Sequence, residues 1–163
     1  MSVSGLKLLI FTFAFTVSVS AIAGSGPSRE QTIDYIEMMR MKYGRDSIFS
    51  IKEDRKYLRF ERITYGDNIK TQMEVANVEK VILAATTGSY IVKLKCRRFT
   101  KCFTHLSDYG DSQYDQEKLF EILPLSNESE ALARKVAKAY IHLFKFYGVE
   151  LILEDKIVKE DLF

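Results

Sequence analysis

The chain has 163 residues, with 24 Lys and Arg against 22 Asp and Glu and a formal net charge of +2. So even a balance builds no field of the strength that gathers nucleic acid, and it excludes that class of partner. An aromatic content of 12% with only two prolines excludes a disordered linker and calls for a buried core.

The N-terminus carries the first organised signal. Lys7 precedes an uncharged apolar run from Leu8 to Val19, and Ala21-Ile22-Ala23 supplies the small-x-small pattern that signal peptidase accepts. The pattern predicts a signal peptide over residues 1–23 and export to a periplasmic or extracellular space. Thr12, Thr16, Ser18 and Ser20 dilute the run, and no basic stop-transfer cluster follows, which argues against a permanent anchor. An uncleaved tether remains the alternative, and a mature chain beginning at Gly24 would exclude it. Cleavage leaves 163 − 23 = 140 residues, the size of one domain. Residues 24–27 then read as a short linker, 28–153 as a single α+β domain and 154–163 as a frayed tail.

Ser28 with Gln31 three residues on forms a capping box and opens a first helix over 28–43. Ile33, Ile36, Met39 and Tyr43 fall at helical spacing, leaving Glu30, Asp34, Glu37 and Arg40 outward. Gly44 is placed as the residue that ends it.

Period-2 runs then predict strands at 47–53, 56–65, 69–75, 78–85 and 89–96, with turn residues between them. In the fifth run Tyr90, Val92, Leu94 and Cys96 share one face, opposite Lys93 and Lys95. Cys96 and Cys102 bracket Arg97-Arg98-Phe99-Thr100-Lys101, and in an oxidising compartment they are expected to pair. A turn centred on Phe99 would set them opposite each other across a hairpin, with Cβ atoms about 4.5–5.5 Å apart. Closing so short a loop contributes about 2 kcal/mol. A redox or metal role would want C-x-x-C spacing or a second Cys/His pair, and the sequence offers neither.

Residues 102–106 pair back on the fifth run, a polar loop covers 107–117, and a last strand runs over 118–125. Regular short strands joined by turns suggest one curved antiparallel sheet or partly open barrel of about six to seven strands. Ser126-Asn127, with Glu130 in a capping box, opens a long helix that Gly148 stops. Its stripe of Leu132, Val136, Ala139, Tyr140, Leu143 and Tyr147 has to be covered, and the sheet is the available partner. Residues 149–153 add a short strand or packed tail.

Strands in series followed by one amphipathic C-terminal helix resemble the pleckstrin-homology-like superfold. The resemblance runs from about Ile48 to Tyr147 and is carried chiefly by Val78-Glu79-Lys80-Val81-Ile82-Leu83 and the helix Ala131–Tyr147. It implies a domain that binds peptides, phosphoinositides or partner proteins and seldom catalyses. Export makes the phosphoinositide role doubtful, and no site residue is carried over.

The chemistry-bearing residues are few. His105 and His142 have no local partner at His-x-x-x-His spacing, so each reads as a surface or core-edge imidazole. His105 is expected outward if Cys102 points inward, which separates the two as a nucleophile–base pair. The segment 108–117 holds four carboxylates and a glycine, the oxygen-rich composition a calcium ion takes, but Gly110 and Leu119 break the EF-hand pattern and Asp, Gly and Ser are also what any exposed loop uses. Asn127-Glu128-Ser129 matches a glycosylation acceptor, with meaning only in a eukaryotic secretory pathway. Lys93, Lys95, Arg97, Arg98 and Lys101 gather around Phe99, a contact site for an acidic partner, or merely a charged hairpin that protects an edge. The expectation is therefore an exported, non-enzymatic binding or protein-interaction module without metal or cofactor. Its binding residues would be Lys95, Arg97, Arg98, Phe99 and Lys101. The alternative is a small secreted hydrolase or inhibitor-like protein whose site assembles from distant residues.

Overall fold

The computed structural model describes residues 26–44, 47–54, 56–64, 67–107, 109–123 and 126–157. The expected signal segment 1–23 and residues 158–163 lie outside them.

The first helix, α1 (Arg29–Tyr43), begins where the capping box places it. The Gln31 amide donates to Ser28 Oγ at 3.2 Å, and the Ser28 amide donates to Gln31 Oε1 at 2.8 Å. Its buried stripe is Thr32, Ile36, Met39 and Arg40, so Arg40 does not face solvent as expected. The Arg40 guanidinium lies over the Phe49 ring, 4.2 Å from its centroid, where a planar cation gains from the ring face. Glu37 also turns toward the strands, accepting the Ile51 amide at 2.6 Å. Both residues tie the helix to the strand it covers. Gly44 ends α1 by a different route from the expected one. Its φ is −80°, outside the left-handed region, but a Cβ there would sit 2.4 Å from the Arg40 carbonyl oxygen.

The chain then forms β1 (Ile48–Asp54), β2 (Tyr57–Thr64) and β3 (Asp67–Glu74), an antiparallel meander. A 3-10 turn at Val75–Asn77 passes it to β4 (Val78–Thr86), which pairs with β5 (Ser89–Cys96) through a two-residue loop. The segment 97–102 leads to β6 (Phe103–Leu106), which returns to lie against β3. Then come β7 (Ser112–Tyr114), β8 (Gln116–Ile122), α2 (Asn127–Lys145) and β9 (Ile152–Asp155).

The architecture is α+β, with the strands of the described residues in two sheets, neither closed into a barrel. The first has the order β1-β2-β3-β6-β7 and the second β8-β5-β4-β9. The final strand β9 runs parallel to β4, which a purely antiparallel sheet did not anticipate. The chain changes sheet three times, at Val75–Asn77, at 97–102 and at Asp115. These crossings meet. The Arg97 amide donates to the Asn77 carbonyl at 2.8 Å, and the Cys96 amide donates to the Asp115 carbonyl at 2.8 Å. Bends of this kind are how strands turn a corner from one sheet into another while keeping their backbone groups satisfied.

Helix α2 covers the second sheet, burying Ala133, Val136, Ala137, Tyr140, Leu143 and Phe144. Ala133 and Ala137 centre the buried face, while Leu132, Ala139 and Tyr147 flank it half-buried. Full burial of each large side chain contributes about 1.5–3 kcal/mol. Ser126 is the N-cap and accepts the Ser129 amide at 3.1 Å; Glu130 pairs forward with Arg134 at 2.7 Å instead of completing a box. At the other end Gly148 has a φ of +70°, and the Val149 amide reaches back to the Phe144 carbonyl at 3.1 Å. That 6→1 bond defines a Schellman ending, which favours glycine at the left-handed position.

Residues 154–157, expected to belong to a frayed tail, are held against the second sheet. Glu154 pairs with Lys80 at 2.9 Å and Lys156 at 2.8 Å, and the Lys156 amide donates to the Leu83 carbonyl at 2.7 Å. Asp155 is held by Arg134, and Ile157 packs on the core.

Candidate functional site

The site grows out of the corner where the sheets meet. Leu94 and Cys96 point inward along β5, as the alternation predicts, which leaves Lys95 on the outer face. Cys96 and Cys102 form a disulfide with Cα atoms 5.6 Å apart. The bond exists as expected, but its setting differs. Cys96 ends a strand of the second sheet and Cys102 immediately precedes a strand of the first, so β5 and β6 are not paired as a hairpin. Sequence pattern placed them opposite each other because both flank one short turn, and β6 instead finds its partner in β3, far back along the chain.

Between the cysteines the backbone makes one tight turn. The Thr100 amide donates to the Arg97 carbonyl at 3.0 Å, and Thr100 Oγ1 donates to the same oxygen at 2.7 Å. Phe99 takes a φ of +66°, the one non-glycine positive φ among the described residues. A bulky side chain in that region costs about 1–2 kcal/mol. The turn is clamped on both flanks, by Arg97 to Asn77 and by the Glu74 amide to the Cys102 carbonyl at 2.8 Å. Phe99 is 93% exposed, with the Arg98 guanidinium 4.7 Å from its ring centroid.

Lys95, Arg97, Arg98 and Phe99 line one cleft of about 410 Å³, shared with Glu79, Lys80 and Asp115. Lys101 lies on the other side of the turn, in a smaller polar recess with Tyr57, Gln72 and Glu74. The five residues singled out from sequence thus stand on one projection but present two faces. Lys93, Lys95, Arg97, Arg98 and Lys101 form no ion pair among the described residues. Lys80, by contrast, is engaged by Glu154, whose hydrogen bond raises the pKa of the ammonium.

The other candidates resolve as structure. His105 sits opposite Thr71 on β3 and shares the strand face of buried Phe103, so it does not point outward. Both thiols are consumed in the disulfide, which removes the Cys–His pair. His142 Nε2 lies 2.8 Å from the Pro27 carbonyl and its ring meets Phe146 edge-on at 5.0 Å, joining the start of α1 to α2. Half of the acidic stretch is strand, residues 112–114 in β7 and 116–117 in β8. Asp108 lies outside the described residues, and among those described no group of His, Cys, Asp and Glu could hold a metal ion.

One polar cluster escaped sequence reading. Glu117 is buried and pairs with Arg62 Nη1 at 3.4 Å, while the Tyr114 and Thr71 hydroxyls lie 3.4 Å apart. Burial pushes the Tyr114 phenol up to about 12, and the nearby Glu117 carboxylate adds to the rise. The four residues come from β2, β3, β7 and β8 and meet only because the sheets do. Alternation on β2 was the available signal, because Arg62 follows Leu58 and Phe60 on the inward face. In the cluster, burial disfavours the Tyr114 phenolate, and the Arg62 guanidinium pairs with the Glu117 carboxylate.

Comparison with known protein families, with curated proteins and with solved structures finds no match to this chain. Among the described residues no helix is long and apolar enough to cross a membrane.

Proposed function

We propose that this chain is an exported, non-enzymatic interaction module that grips an acidic partner protein through the turn Arg97–Lys101. One observation carries the reading. A large aromatic ring is held out in solvent, in a backbone conformation it disfavours, by a disulfide-clamped turn whose flanking cations have no ion pair among the described residues. A folded domain gains nothing internally from that arrangement, whereas an interface anchor needs a rigid aromatic with charged neighbours. Unpaired cations beside it would steer an acidic surface toward the tip before Phe99 docks.

Export is supported by the apolar segment 1–23 followed by small residues, and by a disulfide that an oxidising compartment maintains. The order of elements, which resembles the pleckstrin-homology-like plan, supports binding over catalysis.

The test is capture from the native exported fraction with tagged protein, repeated with the Arg98→Glu/Phe99→Ala variant. The expected result is one stoichiometric acidic partner, lost at least tenfold in the variant at an unchanged melting temperature. Equal capture by both proteins would remove the tip from the interface. No capture by either would remove the protein-partner reading itself.

A further inference from the structure

A second surface, on other elements, has the chemistry of a ligand site. Helices α1 and α2 leave a groove of about 550 Å³ between them, in the range of small-molecule clefts. Its walls are Thr32 and Tyr35 from α1 and Ala139 and His142 from α2, with Pro27 at one end. Gln31 also lines the groove, with its Oε1 accepting the Ser28 amide at 2.8 Å, and two further polar atoms are spent internally. Thr32 Oγ1 donates to the Ser28 carbonyl at 2.7 Å, and His142 Nε2 is engaged with the Pro27 carbonyl at 2.8 Å. What faces the groove is mostly methyl, ring and aliphatic surface, with Gln31 and Tyr35 contributing the remaining polar groups.

At the rim stand Lys135 and Lys138, three residues apart on α2 and therefore on one side of the helix. Both are exposed, and neither has an ion pair among the described residues. No carboxylate lines the groove. An apolar slot with ammonium groups at its edge is complementary to one ligand class, an apolar chain ending in an anion. We infer that the α1–α2 groove binds a single-chain aliphatic carboxylate, its chain along Tyr35, Thr32 and Ala139 and its head group at Lys135 and Lys138. This site is independent of the tip proposed to hold the partner protein.

The inference is tested by calorimetric titration of purified protein with octanoate, decanoate and dodecanoate below their micellar concentrations. The full chain and the chain beginning at Gly24 are compared, so that binding is read with and without residues 1–23. One site is expected in at least the shorter form, with affinity rising about fourfold per methylene as each is buried. Lys135→Glu/Lys138→Glu should weaken dodecanoate at least tenfold and dodecanol less than threefold. Ala139→Trp, which fills the groove from an already half-buried position, should abolish both, and Arg98→Glu/Phe99→Ala should change neither. Binding by neither form, an affinity independent of chain length, or equal losses for acid and alcohol would each overturn the inference. Concentration-dependent dimerisation that Ala139→Trp removes, with no carboxylate bound, would assign the groove to a second copy and overturn it too.

Discussion

Cys96 closes a strand of one sheet, Cys102 opens the approach to a strand of the other, and the bond between them ties the two sheets together. It does so where the three crossings of the chain are already hydrogen-bonded through Asn77, Arg97, Cys96 and Asp115. The Cys102 amide also donates to Cys96 Sγ at 2.8 Å, so the covalent link sits inside the backbone network of the corner. The segment it encloses is consequently anchored by a covalent bond and by hydrogen bonds on both flanks, which suits a surface that must present one side chain in one pose.

The double variant Cys96→Ala/Cys102→Ala tests that role. Freeing so short a loop in the unfolded chain accounts for about 2 kcal/mol. Both cysteines are buried, at 1% and 3% exposure, so lost packing adds to it and the expected total is about 2–4 kcal/mol. Urea unfolding reads the loss directly, and hydrogen exchange should show the Arg97 and Glu74 amides losing protection first. A loss under about 0.5 kcal/mol, the size of an ordinary surface change, would mean the corner holds itself without the bond.

Phe99→Gly separates stability from binding. Glycine occupies the left-handed region without the steric cost that Phe99 bears, so stability should hold or rise by up to about 1 kcal/mol. The ring is 93% exposed with the Arg98 guanidinium beside it, and its removal takes little from the fold. Partner capture should nevertheless fall, as with the Arg98→Glu/Phe99→Ala variant. A clear destabilisation would show instead that the ring supports the turn.

How much of this was visible in the sequence depends on the range of the interactions. Helix starts were legible because a cap is local: Ser28 and Gln31 announce α1, and Ser126 announces α2. Strand β5 was legible to the residue because alternation is a property of one strand. The disulfide was legible as a pair but not as a link between sheets, because β6 chooses β3 over β5 by long-range pairing that no short window contains. The same blindness hid Arg40, charged and yet buried against Phe49, and misplaced His105, whose side follows from Phe103 and not from Cys102. In the candidate site, the cations and Phe99 were singled out from their clustering in the sequence. Their division into two clefts, with Lys101 apart from Arg97 and Arg98, needed the turn geometry.

Tyr114 sets the alkaline limit. Its folded value of about 12 lies above the ordinary 10.0, so between those values the unfolded chain releases a proton that the native state keeps. Stability is therefore fully present below about pH 10 and falls as pH rises toward 12. Tyr114→Phe should flatten that part of the stability curve, measured by urea unfolding at intervals across the range. A slope unchanged by the substitution would place the alkaline transition elsewhere.

Glu154 sets an acid response with the opposite sign. Hydrogen bonds from Lys156 and then Lys80 hold its carboxyl at about 2, below the ordinary 4.5. Its contribution is present above pH 4.5 and is lost as pH falls through about 2. Because β9 is a short edge strand joined to β4 in parallel, it should loosen before the rest of the second sheet. Hydrogen exchange, corrected for intrinsic rates, should show protection in Ile152–Asp155 dropping between pH 5 and pH 2, as expected from these values, while β4 and β5 stay closed. Glu154→Gln should make that loss of protection present already at neutral pH and remove its dependence on acid. Retention of full protection in the Gln variant would mean that the backbone pairing with β4 and the Arg134–Asp155 pair hold the strand without the Glu154 charge.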